Sequence, residues 1–260
     1  MQTVIMCGGT GTRLKEMSEF VPKPLIQIGG VPMAVHIMRW YAKYGFKDFV
    51  LALGYKQEQF KQYFAHFYQI NNDIKVSTGR YYGMHHSLDV SGDDWQVTLS
   101  DTGENTLKGG RLKRVEKYIH GDTFMLSYGD GLSDINFRSL VEFHRSKGKI
   151  ITVVGVHPPG RFGEIHRDGT KVLSFTEKPE IQANDPLINA GFYVCNRKVF
   201  NYLTMDECCD LERGMMEFIA NEGEMAVYHH NGFWKCCDTL NDLIILQKIW
   251  DSGDIPWIVK

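Results

Sequence analysis

Phe49-Val50-Leu51-Ala52-Leu53 is an unbroken apolar run closed by Gly54. A strand of that composition has to be covered on both faces, as happens in parallel sheets packed between helices. The flanking pattern agrees. Residues 2–6 form a short apolar strand. From Pro32, the apolar positions Met33, Ile37, Met38, Tyr41 and Tyr44 recur at helical spacing until Gly45. Gln57 to Phe67 reads as another helix. Residues 1–67 are therefore β-α-β-α, an order that right-handed crossovers turn into a parallel sheet.

Residues 68–107 break this rhythm: they are polar, with Gln96–Leu99 as a strand, and read as an irregular or β-rich insertion. A helix follows at Arg111–Tyr118, a strand at Thr123–Ser127, a helix at Phe137–Arg145 and a β-branched strand at Ile150–Val156. Pro158-Pro159-Gly160, Gly163, Gly169 and Pro179 mark turns between short strands. Met215–Asn221 reads as a helix, Met225–His229 as a strand and Leu240–Trp250 as a closing helix. The expectation is one α/β domain over 1–260. It has a Rossmann-like, mixed, mostly parallel sheet flanked by helices, a polar insertion at about 68–107 and a small β-rich part.

Composition narrows the partners. The 260 residues carry a net charge of −2, which gives no basic field for nonspecific nucleic-acid binding. No apolar run reaches the length of a membrane span, and the N-terminus runs into a strand without a signal-peptide pattern. Cys7, Cys195, Cys208, Cys209, Cys236 and Cys237 have neither metal-site nor disulfide-framework spacing, and read as free thiols of a cytoplasmic protein.

The chemistry starts where the first strand ends, at Met6-Cys7-Gly8-Gly9-Thr10-Gly11-Thr12-Arg13, followed by Pro22-Lys23-Pro24. Glycines let backbone amides approach an anion closely, and Arg13 and Lys23 add positive charge, so the stretch suits a polyphosphate. It lacks the Gly-Lys-Ser/Thr of a Walker A loop, and Leu14 stands where a dinucleotide loop needs its third glycine. Asp130, between Gly129 and Gly131 just past a strand, is placed for a metal or a sugar hydroxyl, or is a simple turn aspartate. Asp238 taken alone reads as a helix N-cap; with Asp130 it makes a Mg²⁺ pair.

Three further clusters carry polar chemistry. Gly109-Gly110-Arg111 could present amides and a guanidinium. Glu177-Lys178-Pro179 could grip a sugar and a phosphate, or be a solvated ion pair, and Asn189-Ala190-Gly191 offers an amide to a sugar. The adjacent pairs His85-His86 and His229-His230 are poor chelates on a strand and read as structural, and Trp234 packs near Asp238 or in the core.

The Gly8-to-Leu14 loop with Pro22-Lys23-Pro24 resembles the signature of the sugar-1-phosphate nucleotidylyltransferases. Further along, Gly54-Tyr55-Lys56, Asp101-Thr102-Gly103, Gly109 to Val115, Tyr128 to Gly131, Pro158 to Gly163, Glu177 to Pro179, Ile188 to Phe192 and Gly232-Phe233-Trp234 with Asp238-Thr239 extend the likeness over nearly the whole chain. The polar insertion and the Asp-Thr-Gly to Gly-Gly-Arg block point to the cytidylyl branch. The resemblance implies a glycosyltransferase-A-like fold and CTP and glucose 1-phosphate as substrates. It further implies Mg²⁺ as cofactor, a homo-oligomer, and a product used for deoxysugar and surface-polysaccharide synthesis.

It implies a nucleotide site of Met6, Cys7, Gly8, Gly9, Thr10, Gly11, Thr12, Arg13, Lys23, Thr106, Arg111 and Gly129, with Arg13 and Lys23 catalytic. Tyr128, Glu177, Lys178, Asn189 and Gly191 would face the sugar phosphate, and Asp130 and Asp238 would hold the metal. Cys7 stands where alanine is common, Val21 where the cytidylyl branch often has lysine, and Cys236-Cys237 where Pro-Met is usual. Another nucleotide (UTP, dTTP or GTP) or sugar 1-phosphate is the nearer alternative, and a non-catalytic nucleotide-sugar-binding protein the more distant one.

Overall fold

The computed structural model describes residues 1–11, 19–77, 83–86, 93–158, 164–176 and 186–258. The strands of its first half are β1 (Gln2–Cys7), β2 (Gln27–Ile28), β3 (Val31–Pro32), β4 (Asp48–Leu53), β5 (Ile74–Ser77), β6 (Gly83–His86) and β7 (Gln96–Asp101). Those of the second half are β8 (Thr123–Tyr128), β9 (Gly131–Ser133), β10 (Ile151–Val156), β11 (Glu164–Asp168), β12 (Lys171–Thr176), β13 (Ile188–Asn196), β14 (Met225–His229) and β15 (Trp234–Cys236). The helices are α1 (Met33–Lys43), α2 (Gln57–Ala65), α3 (Phe67–Asn71), α4 (Lys108–Val115), α5 (Phe137–Lys147), α6 (Glu217–Asn221) and α7 (Leu240–Ser252).

Seven strands form the central sheet in the order β14-β10-β13-β8-β1-β4-β7. β1 is parallel to β4 and β8, β4 to β7, and β10 to β14, whereas β13 runs antiparallel to β8 and β10. The mixed, mostly parallel α/β sheet read from the sequence is the observed one. Gln96–Asp101 refines it. Instead of lying in an excursion, this segment pairs along the full length of β4 as an edge strand of the main sheet.

Strand alternation divides the core between the two faces. Ile5, Leu51 and Met125 pack with Tyr41 of α1 and Phe137 of α5, whose rings stack at 3.7 Å. Val4, Val50 and Leu126 pack on the opposite side with Leu112 and Val115 of α4 and with Phe200. Both faces are covered, as the apolar run at 49–53 demanded. Parallel β1, β4 and β8 therefore end together, and in such sheets ligands gather beyond those ends.

The last helix is fastened to the small β2–β3 hairpin. Gly29 N donates to Gln247 Oε1 at 3.1 Å, and His36 bonds Ile28 O at 2.9 Å through Nε2 while its ring meets Trp250 edge-on at 5.3 Å. Burial holds the His36 pKa down to about 4, reinforced by nearby Arg39. A histidine titrating near 6.5 when unfolded favours the fold in its neutral form. That stabilisation is fully present above about pH 6.5 and is lost as the pH falls toward 4, a difference of about 3 kcal/mol. Thermal melts are expected to drop more steeply between neutral pH and pH 4 for the wild type than for His36→Gln. Parallel pH profiles would rule out His36 as the group concerned.

Among the described residues no helix is long and apolar enough to cross a membrane. All six cysteines are free thiols.

Candidate functional site

β1 delivers Cys7, fully buried, to the start of the glycine loop, and burial pushes its thiol pKa far up, leaving a neutral packing group. Gly8 O then accepts from Tyr55 N at 3.2 Å and from Arg111 Nη2 at 2.9 Å. The Arg111 guanidinium crosses beneath the ends of β1, β4 and β7. Its Nη1 donates to Leu53 O at 3.1 Å, Thr102 Oγ1 at 2.9 Å and Gly103 O at 2.6 Å, and its Nη2 also reaches Glu104 O at 2.9 Å. A Cβ on Gly8 or Gly54 would lie 2.2 Å from Arg111 Nη1, so both glycines are required by this crossing. Burial lowers the guanidinium pKa, and its hydrogen-bond acceptors are neutral oxygens. Arg111 borders the cavity described below, yet both of its terminal nitrogens are engaged in tying three strand ends together.

Asp130 and Asp238 are far apart in sequence and are joined by a short antiparallel pairing. Gly131 of β9 pairs with Cys236 of β15, and Cys237 N donates to Asp130 O at 2.9 Å. Lys23 comes from the 3₁₀ turn Lys23–Leu25, in which Pro22 and Pro24 flank it with fixed φ. Its ammonium lies between the carboxylates, 2.7 Å from Asp130 Oδ2 and 2.6 Å from Asp238 Oδ1. Burial alone would lower the Lys23 pKa, but the two carboxylates outweigh it and the net shift is upward. Lys23 is thus held as a cation. Asp238 is not the N-cap of α7: Thr239 is, with Asp242 completing a capping box. Freed from capping, the Asp238 carboxylate faces Lys23.

These groups floor a cavity of about 360 Å³ at the carboxyl ends of the parallel strands. Met6, Gly8, Gly9 and Gly11 line it together with Gly129, Thr106 and Arg111. Cys7 lies beneath the loop and Thr10 is exposed. Thr12, Arg13, Glu177 and Lys178 lie outside the described residues.

Asn189 and Gly191 do not line this cavity. Asn189 Oδ1 accepts from Gly191 N at 2.9 Å and its Nδ2 donates to Tyr193 Oη at 2.6 Å, while Gly191, at φ +80°, packs against the Tyr128 ring. Trp234 donates from Nε1 to Ala190 O at 2.9 Å, which joins β15 to the start of β13. Val21 packs against the apolar core.

Sequence reasoning missed the lining residues Lys108 and Asp210, and Glu212 behind them. Tyr128 Oη donates to Glu212 Oε1 at 2.6 Å, Lys108 pairs with the same oxygen, and the Lys108 ammonium sits 4.3 Å from the Tyr128 ring centroid. Burial, with Tyr193 and Glu212 nearby, pushes the Tyr128 pKa well up and keeps it a hydrogen-bond donor. Asp210 caps the π-helical turn Leu211–Met216 through Arg213 N at 2.8 Å. Gly109-Gly110 was the available signal: both glycines pack against the backbone of 206–210.

The sequence profile of the family described as nucleotidyl transferase matches residues 2–248. Over 258 residues the chain is 38% identical to the glucose-1-phosphate cytidylyltransferase of Salmonella typhi, covering 99% of this chain and 98% of that protein. It is 39% identical to the probable glucose-1-phosphate cytidylyltransferase of Bacillus subtilis (strain 168), with both chains fully covered. Among solved structures, UDP-glucose pyrophosphorylase complexed with UDP-glucose superposes with a TM-score of 0.68 at 13% identity, covering 97% of this chain and 98% of that one. HddC from Yersinia pseudotuberculosis gives a TM-score of 0.64 at 21% identity, covering 96% and 99%. At these identities the structural likeness speaks to the fold.

Proposed function

Because the chain belongs to the nucleotidyl transferase family, we propose that it transfers the cytidylyl group of CTP to glucose 1-phosphate, giving CDP-glucose and pyrophosphate. Full-length similarity to glucose-1-phosphate cytidylyltransferases supports the choice of substrates. The observation that carries the chemistry is the Lys23 ammonium held between Asp130 and Asp238 on the floor of the glycine-loop cavity.

The attacking oxygen belongs to an already ionised sugar phosphate, so the site needs no general base. Its task is to hold two anions in line and offset charge at the α-phosphorus. The glycine-loop amides cradle the nucleotide phosphates, Lys23 supplies a point charge, and Arg13 binds the departing pyrophosphate through its fork of donors. Arg111 keeps the loop in shape from below. Tyr128, Glu177 and Lys178 make up the sugar-phosphate side, while Asn189 and Gly191, which lie outside the cavity, support it through the packing of Gly191 on the Tyr128 ring.

Asp130 and Asp238 suit Mg²⁺, since they are hard oxygen donors that already converge on one cation. When bound there, Mg²⁺ would supply neutralisation of the phosphate oxygens. The free thiols fit a cytoplasmic enzyme, and the homo-oligomer implied by the resemblance is checked by gel filtration.

Pyrophosphate release from CTP, UTP, dTTP and GTP, each with a panel of sugar 1-phosphates, tests the assignment. The highest kcat/KM is expected for CTP with glucose 1-phosphate. A clear preference for another nucleotide would overturn the cytidylyl reading and leave the transferase chemistry standing.

A further inference from the structure

Asp238 sits in a short loop that leaves β15 and enters α7 within a few residues, and a short loop does not by itself fix where a carboxylate points. Four hydrogen bonds to one side chain do. Asp242 Oδ2 accepts from Asp238 N at 3.2 Å, Thr239 N at 2.9 Å and Thr239 Oγ1 at 2.8 Å. Its other oxygen, Oδ1, accepts from Lys235 Nζ at 2.7 Å. The carboxylate therefore grips the loop on both sides of Asp238, and only 6% of its side chain is exposed.

A capping box needs only the Thr239 exchange with the third helical residue. The bonds to the Asp238 amide and to Lys235 go beyond capping. They complement the opposite restraint, in which Cys237 N donates to Asp130 O at 2.9 Å. One restraint ties the loop to Asp130 and the other sets how Asp238 faces it. We propose that Asp242 is a positioning residue for the cation seat, fixing Asp238 opposite Asp130 so that both carboxylates reach one ion. The inference rests on the reading of Asp130 and Asp238 as the metal pair.

Partners that orient metal ligands typically change affinity by about 10–100-fold when removed. The test is Mn²⁺ binding to the full-length protein, followed by the loss of the free-ion paramagnetic resonance signal, with thermal melts in parallel. Asp242→Asn is expected to raise the Mn²⁺ Kd by about tenfold or more. Thr239→Ala removes the cap hydroxyl but leaves Asp242 on both amides. It is expected to lower the melting temperature while keeping the Kd within about twofold, well short of the range expected for loss of an orienting partner. If the lone Lys235 ammonium prevents Asp242→Asn from folding, the pair Lys235→Met with Asp242→Asn replaces it.

An unchanged Kd in the Asp242 variant, or Kd shifts that merely follow melting temperature across the variants, would overturn the positioning role. Mn²⁺ binding that does not respond to Asp130→Asn or Asp238→Asn would instead overturn the metal pair itself.

Discussion

Replacing Asp130 with asparagine is expected to lower kcat by about a thousandfold, the scale of losing a charged contact to a transition state, while the fold survives. The survival follows from the geometry. The β9–β15 frame holds residue 130 through its backbone oxygen, which accepts from Cys237 N, and asparagine keeps that oxygen. Lys23 would still have Asp238 at 2.6 Å, so its ammonium would not be stranded. The lost charge belongs to the pair that gathers a cation on the cavity floor. Steady-state pyrophosphate release and a circular-dichroism melt measure the two halves of the expectation. Turnover within tenfold of wild type would remove Asp130 from the catalytic site, and a collapsed melt would show that its carboxylate is structural.

The parts of this site that the sequence made legible are those where local pattern and tertiary requirement coincide. An apolar run ending in glycines is both a buried strand and a sharp exit, so β1, β4 and their loops could be read directly. Arg111 could not. Its guanidinium is held by uncharged oxygens at the ends of three strands, and no spacing rule anticipates an arginine whose acceptors belong to Gly8, Leu53, Thr102, Gly103 and Glu104. The glycines at 8 and 54 had a second purpose for the same reason.

Asp238 shows the limit from the other side. An aspartate before a helix is a good cap by composition, but Thr239 is the residue in the capping position, and only the β9–β15 pairing reveals what Asp238 faces. Glu212 lies on a π-helical turn, where the predicted helix began later, at Met215. Its link to Lys108 and Tyr128 joins segments that no local periodicity connects.

Lys23→Met separates the two functions of the ammonium. Turnover is expected to fall by more than about a hundredfold, since the charge proposed to act on the phosphates is lost. Unlike the Asp130 variant, this one is expected to melt at a lower temperature. Lys23 is 9% exposed and is the cation between two carboxylates whose side chains are 32% and 28% exposed. Removing it leaves two like charges facing each other, and their partial solvation reduces the several kcal/mol of a fully buried broken pair to about 1–2 kcal/mol. A divalent cation seated by the same carboxylates relieves that repulsion and stabilises the fold by binding it selectively. Melts of Lys23→Met in EDTA and in excess Mg²⁺ should therefore differ by more than those of the wild type, in which the ammonium and the ion compete for one seat. An equal Mg²⁺ effect in the two proteins would mean that Lys23 and the metal do not share the Asp130–Asp238 pair. A Lys23→Met enzyme with near-wild-type kcat would separate the ammonium from the chemistry altogether.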